Sequence, residues 1–478
     1  MLEPELLWER FFALTRIARP SKEEGPAREH VLSWAAERSY ETAVDDAGNV
    51  VVHVAASPGR DGAPVVVLQS HLDIVCERDP GSAFDPREGR IDVRVEGDWV
   101  RAEGTTLGAD NGIGVAAAQA VVDDDSVRHG PLELLFTVSE EQGLEGAKAL
   151  DTSLVSGQLL LNLDGTSDRA LTIGCAGSDH TLFHLSLSAE HVAGESVVLA
   201  VELRGARGGH SGGDIAAGRV NAIKALGRVL AAAYEVAPFG LVSLDGGVSR
   251  NAIPREARAV VIVSGESEPA LRAALDDELA AIVRGHAGTD GDVVLTVSPA
   301  EADTVADPST TRRVLDLVSA LPNGVLALTP GLQGAVETST SLTTAATAEG
   351  ALTLGSMTRS SNAAALDGVL ATMHALGRLG GAEIEVRRSY PPWEPDLDAP
   401  LLTTAKTTFE RLFGSGPELA VVHGGLECAV LGQKLRGVEM VSIGPEIVGP
   451  HAPGEKVCIS STQRFYRLLG GLLADLSR

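Results

Sequence analysis

A histidine and an aspartate close the first segment of the chain that has the character of a buried strand. The segment PVVVLQS, residues 64–70, leads directly into His71, Leu72 and Asp73. In extended backbone, side chains two positions apart point to the same side, so Asp73 can orient the imidazole of His71 if that imidazole binds a metal ion. A single H-x-D is more often a structural pair, so a metal site needs further ligands elsewhere in the chain.

Further candidate ligands follow the other strand-like segments. They are Asp110 within GTTLGADNGIG, Glu140 and Glu141 directly after LELLFTVS, Asp164 at the end of QLLLNLD, and His451 in the loop after VEMVSIG. Each of them alone could be a helix cap, a solvated charge or an exposed loop residue. Because all of them fall at or just beyond the carboxyl ends of predicted strands, where ligands gather in α/β sheets, the sequence indicates one shared site.

Two imidazoles and three carboxylates form a donor set for two zinc ions, with one imidazole and one carboxylate for each ion and one carboxylate that bridges them. A water between ions roughly 3.5 to 4 Å apart loses a proton near neutral pH, and that proton needs an acceptor. Adjacent side chains in extended backbone diverge, so one carboxylate of the SEEQG segment can bind metal while Glu140 accepts the proton. The set predicts a metal-dependent hydrolase.

A second motif suggests different chemistry. The stretch GGHSGG, residues 208–213, contains the G-x-S-x-G pattern of a serine hydrolase. A nucleophile elbow needs a strand that runs directly into the pattern and a helix that leaves it at once, whereas RGARGG precedes Ser211 and GDIAAG follows it. A serine hydrolase that uses Ser211 with His423 or His451 stays an alternative, and it predicts full activity after chelation.

The order of predicted elements indicates two kinds of domain. Helices are expected near residues 5–17, 27–38 and 111–124, and their alternation with continuous apolar strands predicts an α/β catalytic domain with a central, mostly parallel sheet. From 181 to 388 the order of predicted helices and strands changes to one typical of an inserted α+β domain. About four helices and twice as many strands are expected there, which would suit two similar halves. The expected division is 1–180, 181–388 and 389–478.

Composition narrows the class of protein. The chain has 478 residues and a formal charge of −26, which argues against nucleic acid or anionic membrane as a partner, since both attract basic surfaces. Its four cysteines contain no C-x-x-C pair, and its first residues lack the basic region of a signal peptide. No apolar run reaches the length of a membrane span. We therefore expect a cytoplasmic protein that binds small ligands and cations.

The motifs, taken together, resemble a known family. In chain order they are HLD, GTTLGADNGIG, SEEQG, NLDG, GGHSGG, NAIPRE and GPHAPGE. This set resembles the cytosolic aminoacyl-histidine dipeptidases (Xaa-His or β-alanyl-histidine dipeptidases), within the di-zinc family that also holds aminoacylases and glutamate carboxypeptidases. The resemblance runs from near the first residue to the last. The long inserted block is also like that of this dipeptidase branch.

The resemblance implies a role for each candidate ligand. His71 and Asp164 would bind one zinc ion, Glu141 and His451 would bind the other, and Asp110 would bridge the two. Glu140 would be the general base and proton shuttle, and Asp73 would steady His71. Manganese or cobalt can also occupy such mixed nitrogen and oxygen sites.

The resemblance further implies that the inserted block is a lid and dimerisation domain. His210 of GGHSGG would stabilise the oxyanion, typically in the active site of a partner subunit, although a monomer whose own lid closes is also possible. The planar guanidinium of Arg359 suits the C-terminal carboxylate of the substrate, and the amide of Asn251 suits its carbonyl region, but each could instead be a surface residue. Glu427, beside a glycine turn in HGGLEC, could meet the free ammonium of the substrate.

These inferences predict the hydrolysis of dipeptides, including Xaa-His dipeptides. A related di-zinc acylase, carboxypeptidase or tripeptidase is the nearest alternative. A metal-stabilised binding protein without activity is a third possibility, but Glu140 argues against it, because a purely structural metal site needs no base.

Overall fold

The computed structural model describes residues 2–187, 189–191 and 196–478, which form two compact units. The first unit contains Met1–Cys175, Trp393–Val421 and Leu426–Arg478. The inserted unit contains Ala176–Pro392 together with Val422–Gly425. The expected insertion, 181–388, therefore lies inside the inserted unit. The short return at Val422–Gly425 has no counterpart in the expected division.

The elements of the first unit that precede the insertion alternate between helices and strands. They are α1 (Glu5–Leu14), α2 (Gly25–Glu37), β1 (Glu41–Val44), β2 (Val50–Val54), β3 (Val66–His71), β4 (Val93–Glu96), β5 (Trp99–Ala102), α3 (Ala109–Asp123), β6 (Leu132–Thr137), α4 (Glu145–Ala149), β7 (Leu159–Asn162) and β8 (Ala170–Cys175).

The inserted unit is richer in strands. Its elements are β9 (Gly177–Ser186), β10 (Ala189–His191), β11 (Ser196–Arg204), β12 (Gly209–His210), α5 (Ala222–Val236), β13 (Gly240–Gly246), β14 (Ala252–Ile253), β15 (Ala257–Ser264), α6 (Glu268–Gly285), β16 (Val294–Pro299), β17 (Thr304–Ala306), α7 (Pro308–Ala320), β18 (Gly324–Leu328), β19 (Val336–Ala348), β20 (Ala351–Ser360), α8 (Ala363–Gly380) and β21 (Glu383–Tyr390).

The chain then completes the first unit. The last elements are α9 (Pro400–Phe413), β22 (Glu418–Val422), α10 (Glu427–Lys434), β23 (Glu439–Ser442), β24 (Ile447–Val448), β25 (Lys456–Cys458) and α11 (Ile459–Leu476).

The main sheet of the first unit has the order β1-β2-β6-β3-β7-β23-β8-β22. Its four central strands, β6, β3, β7 and β23, are parallel, while β1, β2 and β8 pair with their neighbours antiparallel. Every residue of β3 and β6 is buried, as expected for strands with a helix or another layer on both faces. The four predicted buried strands are these four parallel strands, which confirms the predicted α/β fold and brings their carboxyl ends to one edge.

The helix α3 packs on this sheet. Its residues are apolar or small around most of the helix circumference, and it is buried along most of its length, packed against α1 and β3. A helix that is apolar all round is stable only when it is buried in this way. The helix begins at the edge where β3 ends, so the glycine-rich segment before it lies beside His71.

The inserted unit is built on one antiparallel sheet with the order β16-β11-β15-β13-β19-β20-β9-β21, in which β18 pairs with β19. The helices α6, α5, α7 and α8 lie side by side, and α5 and α8 pack on the sheet. Leu226, Val229 and Leu230 of α5 belong to the apolar cluster that fills this interface. Among the residues that the structure describes, no helix combines the length and apolar character needed to cross a bilayer.

Candidate metal centre

The candidate ligands of the first unit lie in one cluster at the edge of the parallel sheet. Nε2 of His71 is 3.0 Å from Oδ1 of Asp110 and 3.6 Å from Oδ1 of Asp164. Nε2 of His451 is 3.3 Å from Oδ2 of Asp110 and 3.1 Å from Oε1 of Glu141. The ligand atoms of His71, Asp110 and Glu141 all lie within 4.8 Å of one another. The structure therefore brings together the five residues that the resemblance assigns as metal ligands.

The segment before α3 places the Asp110 carboxylate in the middle of this cluster. Gly108 has φ +72°, and Asp110 and Asn111 have non-helical backbone angles, so the chain turns before the regular helix begins. The amide of Asn111 donates hydrogen bonds to the carbonyl of Leu163 at 2.9 Å and to Oδ1 of Asp164 at 2.5 Å. One amide thus connects the start of α3 to the end of β7, where Asp164 lies.

Two buried charged residues that the sequence analysis missed hold the same segment. The Glu455 carboxylate is 2% exposed and accepts hydrogen bonds from four consecutive backbone N–H groups, at positions 107–110, at 2.7 to 3.3 Å. The guanidinium of Arg19 donates to the carbonyls of Leu72 and Gly108 at 2.9 and 2.6 Å. Glu455 ends the GPHAPGE motif and could have been found there, whereas nothing in the sequence around Arg19 distinguishes it.

Asp73 contacts both His71 and the turn after β6. Nδ1 of His71 lies 3.1 Å from the backbone carbonyl of Asp73 and 3.5 Å from its carboxylate. The two oxygens of that carboxylate accept the backbone N–H groups of Glu140 and Glu141 at 3.0 and 3.1 Å. The backbone carbonyl of Asp73, with its carboxylate nearby, therefore helps to fix the imidazole so that Nε2 faces Asp110 and Asp164, while the carboxylate orders the two glutamates.

The electrostatics of the cluster reflect its excess of carboxylates. Burial raises the pKa of Glu140 well above its usual range, and the charges of Asp164 and Glu141 raise it further. Burial and the charge of Asp110 raise the pKa of Asp164 to about 7. Hydrogen bonds to Asp110 and Glu141 raise the pKa of His451 to about 11. Divalent cations would compete with protons for these same groups and would offset the excess negative charge, so they fit the donor set well.

Glu427 occupies a different environment from the one expected for a substrate contact. It is the first residue of α10 and is 1% exposed, and its Oε2 accepts hydrogen bonds from Gln69 at 2.5 Å and Thr137 at 2.6 Å. Burial raises the pKa of its carboxyl to about 7. These contacts favour a structural role that connects α10 to β3 and β6, while a contact with the substrate's ammonium stays a prediction.

In the inserted unit, His210 and Arg359 place two hydrogen-bond donors side by side. Nδ1 of His210 accepts the backbone N–H groups of Gly212 and Gly213 at 3.3 and 3.0 Å, which leaves the proton of the neutral imidazole on Nε2. Nη2 of Arg359 lies 3.5 Å from that Nε2. Burial and the charge of Arg359 lower the pKa of His210, which keeps the imidazole neutral. Two donors that face the same space can share one oxygen acceptor.

Arg359 itself is 3% exposed, and in the described part of the chain it forms no ion pair with a carboxylate. Its Nη1 donates to the hydroxyl of Tyr390 at 3.1 Å, and its Nε is buried without a hydrogen-bond partner. A buried guanidinium normally has an anionic partner, so this one is suited to an anionic ligand. Asn251, in contrast, is exposed, and its backbone carbonyl accepts the N–H of Ser211 at 2.7 Å.

The surroundings of Ser211 argue against a nucleophile elbow. Its side chain is 1% exposed, and its hydroxyl has no hydrogen-bond partner among the described residues. Nε2 of His423, the base that the serine hydrolase alternative would need, is 2.7 Å from the hydroxyl of Ser339 instead. The other histidine considered for that role, His451, contacts Asp110 and Glu141. The geometry favours the metal chemistry over the serine chemistry.

Comparison with known proteins agrees with metal chemistry rather than serine chemistry. A model of peptidase family M20/M25/M40 matches residues 67–475. The cytosol non-specific dipeptidase of Escherichia coli strain K12 is 35% identical over 476 residues, which cover 99% of this chain and 98% of that protein. The crystal structure of aminoacylhistidine dipeptidase from Vibrio alginolyticus matches with a TM-score of 0.91 at 33% identity, and the match covers 99% of this chain and 97% of that one.

A more distant structure shares the fold alone. Aminopeptidase PepT from Bacillus cereus matches with a TM-score of 0.58 at 16% identity over the full length of both chains.

The family model covers the segments that carry the candidate ligands, and the Escherichia coli relative is similar from end to end. The chain therefore belongs to peptidase family M20/M25/M40.

Proposed function

We propose that the protein is a di-zinc dipeptidase that hydrolyses dipeptides, including those with a C-terminal histidine. The observation that carries the proposal is the Asp110 carboxylate, whose two oxygens face the imidazoles of His71 and His451. The relatives named as dipeptidases in Escherichia coli and Vibrio alginolyticus support this substrate class.

Five side chains would hold the two ions. His71 and Asp164 are assigned to one ion, Glu141 and His451 to the other, and Asp110 to both. When bound, the ions polarise the scissile carbonyl and make a water molecule more acidic, and manganese or cobalt could replace zinc in such a donor set. The contacts of His71 with both Asp110 and Asp164, and of His451 with both Asp110 and Glu141, support this division.

Glu140 would accept the proton of the attacking water and pass it to the leaving amine. Its partly buried carboxyl, near the charges of other carboxylates, has the raised affinity for a proton that such a shuttle needs. Asp73 would keep the backbone of Glu140 and the ring of His71 in place through the hydrogen bonds described above.

The inserted unit would bind the substrate. The Nε2–H of neutral His210 would donate to the oxyanion of the tetrahedral intermediate, and Arg359 would bind the free C-terminal carboxylate. Asn251 would donate to the carbonyl region of the substrate. The unpaired guanidinium of Arg359 supports this assignment, because a substrate carboxylate would supply the anion that the described residues do not.

We further propose that the protein acts in the cytoplasm and forms a homodimer through the inserted unit, in which His210 serves the site of the partner. Mixing the inactive variants Glu140→Ala and His210→Ala tests this arrangement. Recovered activity in the mixture supports a shared site, whereas no recovery, with both variants folded, supports a site contained in one chain.

A substrate panel tests the function itself. It contains alanyl-histidine, β-alanyl-histidine, a histidine-free dipeptide, a tripeptide and an N-acetyl amino acid, each assayed before metal removal, after it, and after zinc is returned. Metal-restored cleavage confined to dipeptides supports the proposal. Cleavage of the tripeptide or the N-acetyl amino acid alone would assign the protein to a tripeptidase or an acylase, and no cleavage by the zinc-loaded protein would favour a binding protein.

A further inference from the structure

The side chain of Glu24 does not serve its own helix. Glu24 is the residue before α2, where an acidic side chain commonly caps the helix, but it makes no such bond. Its Oε1 instead accepts the backbone N–H of Ser139 at 2.8 Å and the hydroxyl of Ser139 at 2.9 Å. The same oxygen accepts the backbone N–H of Lys22 at 2.8 Å. Glu24 is 6% exposed, so this buried carboxylate connects the segment before α2 to a residue far along the chain.

Ser139 directly precedes Glu140 and has an unfavourable backbone conformation. Its φ is +51°, and Leu144, at the other end of the same turn, has φ +62°. Residues other than glycine adopt this left-handed region only when the surrounding structure holds them there. The turn that carries Glu140 and Glu141 therefore depends on contacts from outside the turn.

Carboxylates supply those contacts at three consecutive positions. The N–H of Ser139 donates to Glu24, and the N–H groups of Glu140 and Glu141 donate to the two oxygens of Asp73. The hydroxyl of Ser21 donates to Oδ2 of Asp73 at 2.7 Å. The segment between α1 and α2 thus takes part in both sets of contacts. Ser21 binds the Asp73 carboxylate, and Glu24, which belongs to the segment, binds Ser139 directly.

We propose that Glu24 is a positioning residue for hydrolysis. It fixes the backbone of Ser139 and thereby the direction in which the side chain of Glu140 points. The inference rests on the proposed role of Glu140 as the base. Glu24 acts through Ser139, since its hydrogen bonds go to Ser139 and Lys22 and not to the assigned metal ligands. It also lies before residue 67, where the match to the family model begins.

Three variants of the full chain test this role in the zinc-loaded protein with alanyl-histidine as substrate. Glu24→Ala removes the acceptor, and we expect kcat to fall about 10- to 100-fold, the usual effect of losing a residue that orients a catalytic group, with KM changed by less than about twofold. Glu24→Gln keeps an amide oxygen that can accept the same bonds, so its kcat stays within about threefold of the original. Glu23→Gln alters an exposed neighbour and leaves both constants unchanged.

Amide hydrogen exchange supplies a readout that does not depend on turnover. In Glu24→Ala, peptides that cover residues 139–145 should exchange faster, while peptides from α11 should exchange as before. An unchanged kcat in Glu24→Ala would overturn the proposal, as would equal losses of kcat in Glu24→Ala and Glu24→Gln, or faster exchange throughout the first unit. If the original protein cleaves no dipeptide, the proposed function fails, while the exchange experiment still shows whether Glu24 holds the turn.

Discussion

The two oxygens of the Asp110 carboxylate face different histidines. Oδ1 is 3.0 Å from Nε2 of His71, and Oδ2 is 3.3 Å from Nε2 of His451. His71 ends a strand of the parallel sheet, whereas His451 lies in a loop near the end of the chain, so Asp110 connects two distant parts of the sequence. A carboxylate in this position can bridge two cations that the histidines also bind.

Replacing Asp110 with asparagine should therefore disrupt both halves of the centre. The amide has one oxygen instead of two and no charge, so we expect the zinc content to fall below two per chain and kcat/KM to fall by more than the roughly 100-fold that loss of an outer partner causes. Elemental analysis of the purified protein and dipeptide assays measure these effects. Asp125→Asn, which changes an exposed residue just after α3, is the control. A full zinc content in Asp110→Asn would contradict the bridging role.

Glu140→Gln should separate catalysis from metal binding. The amide cannot accept the proton of water, so kcat should fall about 10²- to 10⁴-fold, the contribution typical of a general base. The zinc content should stay the same, because Glu140 is not among the assigned ligands. The comparison variant is Glu145→Gln, an exposed residue of the same turn region. If Glu140→Gln loses zinc as well as activity, then Glu140 is a ligand and the proposed division of roles between the two glutamates is wrong.

Ser211→Ala distinguishes the metal chemistry from the serine chemistry. Because the Ser211 hydroxyl has no base among the described residues, we expect the variant to retain activity within about threefold, since removing a hydroxyl that makes no hydrogen bond should have little effect. Chelation should abolish activity in both proteins, and zinc should restore it. Loss of activity in a folded Ser211→Ala variant that still binds zinc would favour the serine hydrolase alternative.

The cluster could be predicted from the sequence because its ligands follow a simple rule. Parallel strands that are buried on both faces are recognisable as continuous apolar runs, and their carboxyl ends must lie at one edge. That rule was sufficient to bring His71, Glu141 and Asp164 together, and the glycine-rich segment before α3 added Asp110. The parallel order β6-β3-β7-β23 in the structure agrees with it.

The supporting contacts could not be predicted in the same way. Arg19, Glu24 and Glu455 act by binding backbone groups in distant segments, and any backbone N–H or carbonyl is chemically equivalent to any other. Only the folded chain shows which of these groups a side chain reaches. Likewise, the sequence shows Glu427 beside a glycine turn, but the residues that donate hydrogen bonds to its carboxylate, Gln69 and Thr137, lie far away in the sequence.

Arg359→Gln should weaken the binding of substrates with a free C-terminal carboxylate. A charged hydrogen bond to a carboxylate contributes about 1.5–3 kcal/mol, so we expect KM to rise roughly 10- to 100-fold with a smaller change in kcat. With a dipeptide whose C-terminus is amidated, the two proteins should differ much less. Arg387→Gln, at an exposed arginine of β21, provides the matched control. An equal loss for the acid and amide substrates would show that Arg359 does not bind the carboxylate.

His423 should make the stability of the protein depend on pH. Burial, together with the charge of Arg359, lowers the pKa of its imidazole to about 4, compared with about 6.5 in the unfolded chain. At pH 5 the unfolded imidazole is protonated and the folded one is not, so the unfolded state takes up the extra proton. The free energy of unfolding therefore decreases as the pH falls from about 7 towards 4, and this histidine accounts for about 2 kcal/mol of the decrease at pH 5.

The variant His423→Gln cannot take up that proton, although its amide can still hydrogen-bond to Ser339. Urea unfolding at pH 7 and pH 5 should therefore show a smaller decrease in the variant than in the original protein, by about 2 kcal/mol. His374→Gln, at a partly exposed histidine of α8 in the same unit, should retain the larger decrease. If the original protein and His423→Gln lose the same stability between the two pH values, the imidazole is not held neutral by its surroundings. Its place beside Arg359 would then need another explanation.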